Sequence, residues 1–430
     1  MSRREQLRIA VGTFEVSGVV RSLADGFARL GHEVTAAMRL GDEHFEDAEY
    51  DLDISRDVER VPFVDFKARL RGARAAPRGL RRGLSPLERL HWLAAHHDVF
   101  VFVFGSLYSD HVNGLKFRGF GRDFALLHKL GKRIVCCFMG PDVRHASAFD
   151  QEMAWLGRRG ARPSLEEAVP AWGRVPVSRP LVNLRRAERW ADCILSQPNQ
   201  AGLALRPYHH LFIPLERAAV RARVPGRERP RVVHAPSLRA VKGTDAILGA
   251  LERLRGEGVD FELRLLEQMP NHQVMRELSG ADVVLDQLHL PLHGRLGVEA
   301  MASGCALATR DDTAFEPFPA QRPVWDLDAA SLFPRLRRLL TDRELRVRLG
   351  HEGIAYARRW HDHVEVARRI LACLGGSIAP EHEPTFFARH YRLPEGRRLT
   401  AEGLALNAEV ARRHGVRLRT AAARGLVRAS

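Results

Sequence analysis

An alternation of short apolar runs with helical patterns runs through this chain twice, and it limits the available folds more than any other feature. In the first half, residues 7–12 read as a strand. Residues 19–30 read as a helix, with Val20, Leu23, Phe27 and Leu30 at helical spacing, and residues 33–38 as the next strand. Strand, helix and strand at this spacing form a βαβ unit, which implies a parallel sheet. The pattern continues with strands over 98–104, 133–138, 193–196 and 211–214 and helices over 121–130 and 185–190. It restarts with strands over 231–235, 260–266, 282–286 and 305–309 and helices over 244–257, 271–279 and 297–302. Helical patterns over 331–340 and 345–374 complete the second half. Between the halves, residues 216–230 lose the apolar signal and carry Pro225, Gly226, Pro230 and five arginines. The expected fold class is therefore α/β, with two consecutive doubly wound, Rossmann-like units. The expected division is 1–216, a linker at 217–230, 231–375, and a C-terminal extension at 376–430 that turns helical over 400–416.

Composition narrows the partners without choosing one. The net charge of +15 allows attraction to nucleic acid, an anionic membrane surface or a phosphorylated substrate. No aromatic-basic surface motif supports a nucleic-acid partner. The five cysteines are scattered without CxxC spacing, which argues against a zinc site or a disulfide framework and fits a reducing cytoplasm. Residues 1–12 lack the apolar core of a signal peptide, and the run 99–104 is too short to span a bilayer. The expected location is cytoplasmic, with peripheral contact at the inner membrane face left open. The arginine-rich stretch 64–84 reads as a solvated loop, with membrane or acceptor contact as the alternative. Pairs such as His96-His97, His209-His210 and His361/His363 sit at element ends without a set of metal-ligand partners. No GxSxG, P-loop or GxGxxG occurs in the right context, which argues against hydrolase, kinase and dehydrogenase chemistry.

Against 62 arginines the chain has five lysines, and after Lys132 only Lys242 remains. It lies in Ser237-Leu238-Arg239-Ala240-Val241-Lys242-Gly243, directly after a strand, where ligands of open α/β sheets bind. A compact ammonium suits a pyrophosphate oxygen, and an arginine suits a two-bond clamp on the same group. Arg239 and Lys242 are expected to converge on a diphosphate, with Gly243 allowing close backbone approach. After the strand at 282–286, which ends at Asp286, a loop with Gly294 and Arg295 enters a short helix whose first amides can face an anion. Glu299, in that otherwise apolar helix, is suited to accept from a sugar hydroxyl or to stabilise the helix dipole. Weaker candidates at strand ends are Glu267, toward a nucleoside, and Gly12, toward an acceptor.

These pieces, taken in order, resemble the donor-binding domain of the family 4 glycosyltransferases, which have the GT-B fold. The matching residues are His234-Ala235-Pro236-Ser237, Arg239, Lys242-Gly243-Thr244-Asp245, Ala281-Asp282, Asp286-Gln287 and Glu299-Ala300-Met301-Ala302-Ser303-Gly304. The first half is similar more weakly to the acceptor domain, at Gly31-His32-Glu33-Val34 and Gly140-Pro141-Asp142-Val143-Arg144. The likeness covers residues 5–375. It implies sugar transfer from a nucleotide diphosphate donor to an acceptor such as a glycan, a lipid-linked sugar or a small molecule, with retention at the anomeric carbon and without a bound metal or other cofactor. It assigns Arg239 and Lys242 to the departing diphosphate, Glu299 to the donor ribose, and Asp142 and Arg144 to the acceptor side. Two positions depart from the family pattern. Pro291 stands where a glutamate usually precedes Glu299 by eight residues, and Met139 stands where a histidine often precedes Gly-x-Asp. The resemblance therefore names neither a contact to the transferred sugar nor a proton acceptor, although in front-face retaining transfer the donor phosphate can take the proton. A non-catalytic nucleotide-sugar-binding protein and a nucleotide-sugar epimerase on the same fold are the competing expectations.

Overall fold

Strand β1 (Arg8–Phe14) occupies the middle of the first sheet because its apolar run is buried on both faces, as a parallel strand covered by helices must be. The computed structural model describes residues 6–40, 51–53, 86–104, 111–112, 115–116, 122–155, 163–216, 220–313 and 315–384, and beyond those 405, 408–410 and 412–413. The arginine-rich stretch 64–84 and most of the helical pattern over 400–416 lie outside the described residues.

The first half contains β1, β2 (Glu33–Leu40), β3 (Leu52–Asp53), β4 (Val99–Val103), a small antiparallel pair β5 (His111–Val112) and β6 (Leu115–Lys116), β7 (Arg133–Cys137), β8 (Cys193–Ser196) and β9 (His209–His210). Except for the small pair they form one parallel sheet in the order β3-β2-β1-β4-β7-β8-β9. The second half contains β10 (Arg231–His234), β11 (Glu262–Leu265), β12 (Val283–Leu285), β13 (Ala306–Thr309) and β14 (Trp325–Asp326), parallel in the order β11-β10-β12-β13-β14. Strand order reverses between β1 and β4 in the first sheet and between β10 and β12 in the second. Apolar clusters cover both faces of each sheet.

Four sequence expectations change. Gly12 does not end the first strand: β1 runs on to Phe14, and Gly12 pairs between Ala37 and Phe102. The last strand of the first half is His209–His210 itself, and residues 211–214 leave the sheet. The pattern 345–374 breaks into the helices Arg343–Trp360 and His363–Leu374, where Asp362 caps the second through the amides of Val364 and Glu365. That second helix does not cover the second sheet. It returns to the first, packing Val366, Ala367 and Ile370 with Val19, Leu23 and Phe27. The helix Val19–Arg29 comes so close to it that a Cβ at Gly26 would stand 2.4 Å from the His363 carbonyl oxygen. His363 Nε2 also bonds Asp25 at 2.6 Å.

Residues 220–230 are held against the second half. Buried Asp282 accepts from Arg227 Nη1 at 3.0 Å, Arg223 Nη2 at 3.2 Å and the amides of Gly226 and Arg231. The two halves meet in a small apolar cluster in which Phe149, Met153 and Leu165 of the first pack with Val241, Leu290 and Phe315 of the second.

Candidate functional site

The second sheet reverses between β10 and β12, and the two segments leaving their carboxyl ends meet there. After β10 the chain forms a single helical turn, Arg239–Lys242, and closes it with Gly243 in the left-handed region, φ 71°. A Cβ at Gly243 would come within 2.9 Å of Leu288, so glycine is required both by the turn and by the approach of the neighbouring loop. The sequence had assigned that closeness to a ligand. Thr244 is buried and meets His234 Nε2 at 2.9 Å. His234 Nδ1 donates to the Leu285 carbonyl at 2.7 Å, so Nε2 accepts from the threonine hydroxyl. Burial holds His234 below its ordinary range, which keeps the ring neutral.

Lys242, 8% exposed, reaches across to the loop after β12. Its ammonium donates to Asp286 Oδ1, and to Gln287 Oε1 at 3.2 Å. Asp286 is fully buried, and its second oxygen accepts from the Gly294 amide at 2.8 Å. Gly294 precedes the helix Arg295–Ala302, whose first turn has no side-chain cap. Gly294 lies close enough to the ammonium that a Cβ there would be 3.7 Å from Lys242 Nζ. A buried cation, a carboxylate and the positive end of a helix thus share one spot at the reversal point. Val241, next to Lys242, is packed into the apolar junction with the first half.

A second group lies along the same helix. Glu299 is 2% exposed and accepts from Arg295 Nε at 2.7 Å and Asn271 Nδ2 at 2.9 Å. It is the fifth residue of the helix rather than part of its first turn, so its role at the helix dipole falls away in favour of these two bonds. Arg295 also donates to the Pro214 carbonyl at 2.9 Å.

Arg239 has partners of its own. Its guanidinium, 43% exposed, bonds Glu267 Oε1 at 2.7 Å and Asp245 Oδ1 at 2.6 Å. Arg239 and Lys242, expected to converge on a diphosphate, each have their own carboxylate partners. Glu267 is correspondingly engaged with Arg239.

The first-half candidates are mostly engaged by their own chain. Asp142 is buried and accepts from the amides of Gly140 at 2.8 Å and Met139 at 3.2 Å. Burial pushes its carboxyl up to about 7, against the pull of those two amides. It stabilises its own turn. Gly12 lies inside β1. Arg144 donates to Asn199 Oδ1 at 3.2 Å, with its guanidinium 5.2 Å from the Trp172 ring centre, both partners lying in the first half.

Sequence reasoning missed the continuation of that chain. Glu316, fully buried after β13, accepts from the Asn199 amide at 2.7 Å and from its side-chain nitrogen, which ties the two halves together. Burial raises Glu316 to about 8, and its second oxygen has no hydrogen-bond partner. Its position beyond a strand's carboxyl end was the available signal. Asn271, which holds Glu299, carried none, and Gln287, which holds Lys242, was marked only by the family resemblance.

Among the described residues no group of three or more His, Cys, Asp or Glu is arranged to hold a metal ion, and no helix is long and apolar enough to cross a membrane. No protein-family model and no curated protein matches the chain. Solved structures do. Sucrose-phosphate synthase from Thermosynechococcus elongatus is 14% identical over 86% of this chain and 99% of its own, with a TM-score of 0.53. HepE from Anabaena in complex with UDP-glucose is 12% identical over 86% of this chain and 100% of its own, with a TM-score of 0.45. WaaG, a glycosyltransferase of lipopolysaccharide biosynthesis, is 13% identical over 86% and 99%, with a TM-score of 0.45. The likeness to the first, together with the two parallel sheets and their shared junction, establishes what this chain is in architecture: a GT-B fold of two Rossmann-like units.

Proposed function

We propose that this chain is a glycosyltransferase that moves a sugar from a nucleotide diphosphate donor to an acceptor, with retention at the anomeric carbon and without a bound metal. The observation that carries the proposal is the meeting of Lys242, Asp286 and the uncapped start of the helix Arg295–Ala302 at the reversal point of the second sheet. Negative charge grows on the leaving diphosphate as the glycosidic bond breaks, so catalysis concentrates there. A lysine held by Asp286 and Gln287 arrives already oriented, and the positive end of the helix adds its field without reorganisation. Arg239 joins them by exchanging an exposed carboxylate partner for a phosphate oxygen. Glu299, held by Arg295 and Asn271, is the acceptor for the ribose hydroxyls, and Glu267 lies on the nucleoside side. Arg144 is the first-half residue directed at the acceptor. With Met139 and Pro291 in place of the usual histidine and glutamate, the acceptor proton goes to the donor phosphate. The same fold in sucrose-phosphate synthase supports this reading.

The deciding experiment is a panel of UDP-, GDP-, ADP- and TDP-sugars, scored for nucleoside diphosphate release and for a rise in melting temperature. One donor should give both signals, and Lys242→Met should remove the melting shift and cut release by about 10²–10³. Pro291 and Met139 favour a second reading, a binding protein without turnover. A melting shift with no release for any donor or acceptor would select it.

A further inference from the structure

We propose that Cys373 is a reactive thiol and Cys193 its resolving partner, forming a site in the first half that hydroperoxides convert to a disulfide. A cavity of about 700 Å3 is lined by Cys193 of β8, His209 of β9 and Cys373 of the returning helix His363–Leu374, with Arg206 and Pro380 also on its wall. A volume of that order admits a small molecule. Both cysteines belong to one packed apolar cluster, and both face this cavity. Glu381 stands 3.7 Å from His209 Nδ1 and is itself paired with Arg369. Thiol, thiol, imidazole and carboxylate are thus brought together from four separate chain segments, and the proposed transfer reaction uses none of them.

The remaining cysteines show the contrast. Cys136, Cys137 and Cys305 are also buried but do not line this cavity, and burial, with a smaller push from Asp142 and Asp282 respectively, raises Cys137 and Cys305 to about 12. At Cys373 the neighbouring Cys193 thiol is the largest influence. Burial opposes it, and His209 and Arg369 add to it, so the thiol falls below its ordinary range while Cys193 is pushed up. Burial disfavours the charge on His209, yet Cys373 and Glu381 raise it to about 9, so an imidazolium accompanies the thiolate.

The chemistry balances with a hydroperoxide as the named oxidant. The Cys373 thiolate attacks the distal oxygen, the O–O bond breaks, and the departing alkoxide takes a proton, leaving a sulfenic acid. The Cys193 sulfur then attacks that sulfur and water leaves. Two thiols and one ROOH give one disulfide, one ROH and one water, with two electrons passing from sulfur to oxygen. The product would join β8 covalently to the returning helix.

The test uses the intact protein at pH 7. In a brief iodoacetamide pulse followed by peptide mass spectrometry, Cys373 should be alkylated at least about tenfold faster than Cys305. Equimolar hydrogen peroxide should give a Cys193–Cys373 linked peptide two hydrogens lighter than the separate thiols. Cys193→Ser should leave a sulfenic acid at Cys373 that dimedone traps, and His209→Gln should slow the alkylation. Equal labelling of Cys373 and Cys305 in the wild type, or peroxide treatment that leaves both Cys193 and Cys373 reduced, would overturn the proposal. Both of these arms need only wild-type protein, so they decide the matter even if a variant fails to fold.

Discussion

The carboxyl ends of the two sheets differ in kind where the strand order reverses. In the second sheet, the segments after β10 and β12 bring Lys242 and Asp286 together in a buried ion pair beside a helix start. In the first, the segments after β1 and β4 bring Phe14 and Phe104 into a stacked pair 4.7 Å apart, and buried Glu15 accepts from the amides of Val20 and Arg21. One end concentrates fixed charge, and the other presents an aromatic face. Topology marks both ends as ligand positions, and among the described residues the second brings a buried lysine to a helix start. Asp142 extends the contrast: it is acidic and buried like Asp286, yet its partners are its own turn, whereas the partners of Asp286 come from two other segments.

Substitutions can break this comparison. Lys242→Met should have the largest effect. It leaves Asp286 buried without its cation, at a cost of about 3–5 kcal/mol in a urea melt, and should reduce donor turnover by about 10²–10³. Adding Asp286→Asn should restore part of the stability and none of the turnover. If turnover survives in Lys242→Met, the charged end is not where the leaving group sits. Glu299→Gln should raise the donor KM about tenfold with a smaller change in kcat, the pattern of a group that binds ground and transition states alike. Asp142→Ala should cost about 1–3 kcal/mol by stranding buried amides, with the donor KM unchanged; a KM effect there would erase the distinction between the two ends.

The link between the halves has its own pH dependence. The folded state raises the Glu316 carboxyl to about 8, so it binds a proton that the unfolded chain has already released. Its contribution to stability is complete below the ordinary carboxyl range and is lost as pH climbs toward about 8. Denaturant melts across pH 5 to 9 should show Glu316→Gln losing less stability than the wild type over that interval, and parallel curves would remove Glu316 from the link. Arg239→Ala should be the mildest. Its exposed pairs with Asp245 and Glu267 leave stability unchanged, while donor affinity measured by calorimetry falls.

Much of the second-half site was legible because its residues follow strands, and strands announce themselves by apolar runs. Lys242, Asp286, Gly294, Arg295 and Glu299 all lie within a few residues of such a run or in the helix that follows it. Arg239 was legible as a candidate but not in its partners, since Glu267 is 28 residues away and the competition between carboxylate and phosphate has no periodic signature. Gly12 was misplaced because glycine commonly punctuates a strand, whereas here the pairing with Ala37 and Phe102 carries β1 past it.

Periodicity and local spacing determined that there would be two α/β units and where their strands fall, because burying an apolar face is a demand that each segment makes for itself. Tertiary structure decided which groups meet across distance. It turned the helix His363–Leu374 onto the first sheet, joined Asn199 to Glu316 over 117 residues, and gathered Cys193, His209 and Cys373 around one cavity. The physical reason is that a side chain's polar partner is set by where the backbone has travelled, and the travel of a chain this long is fixed only when all the apolar faces are satisfied together.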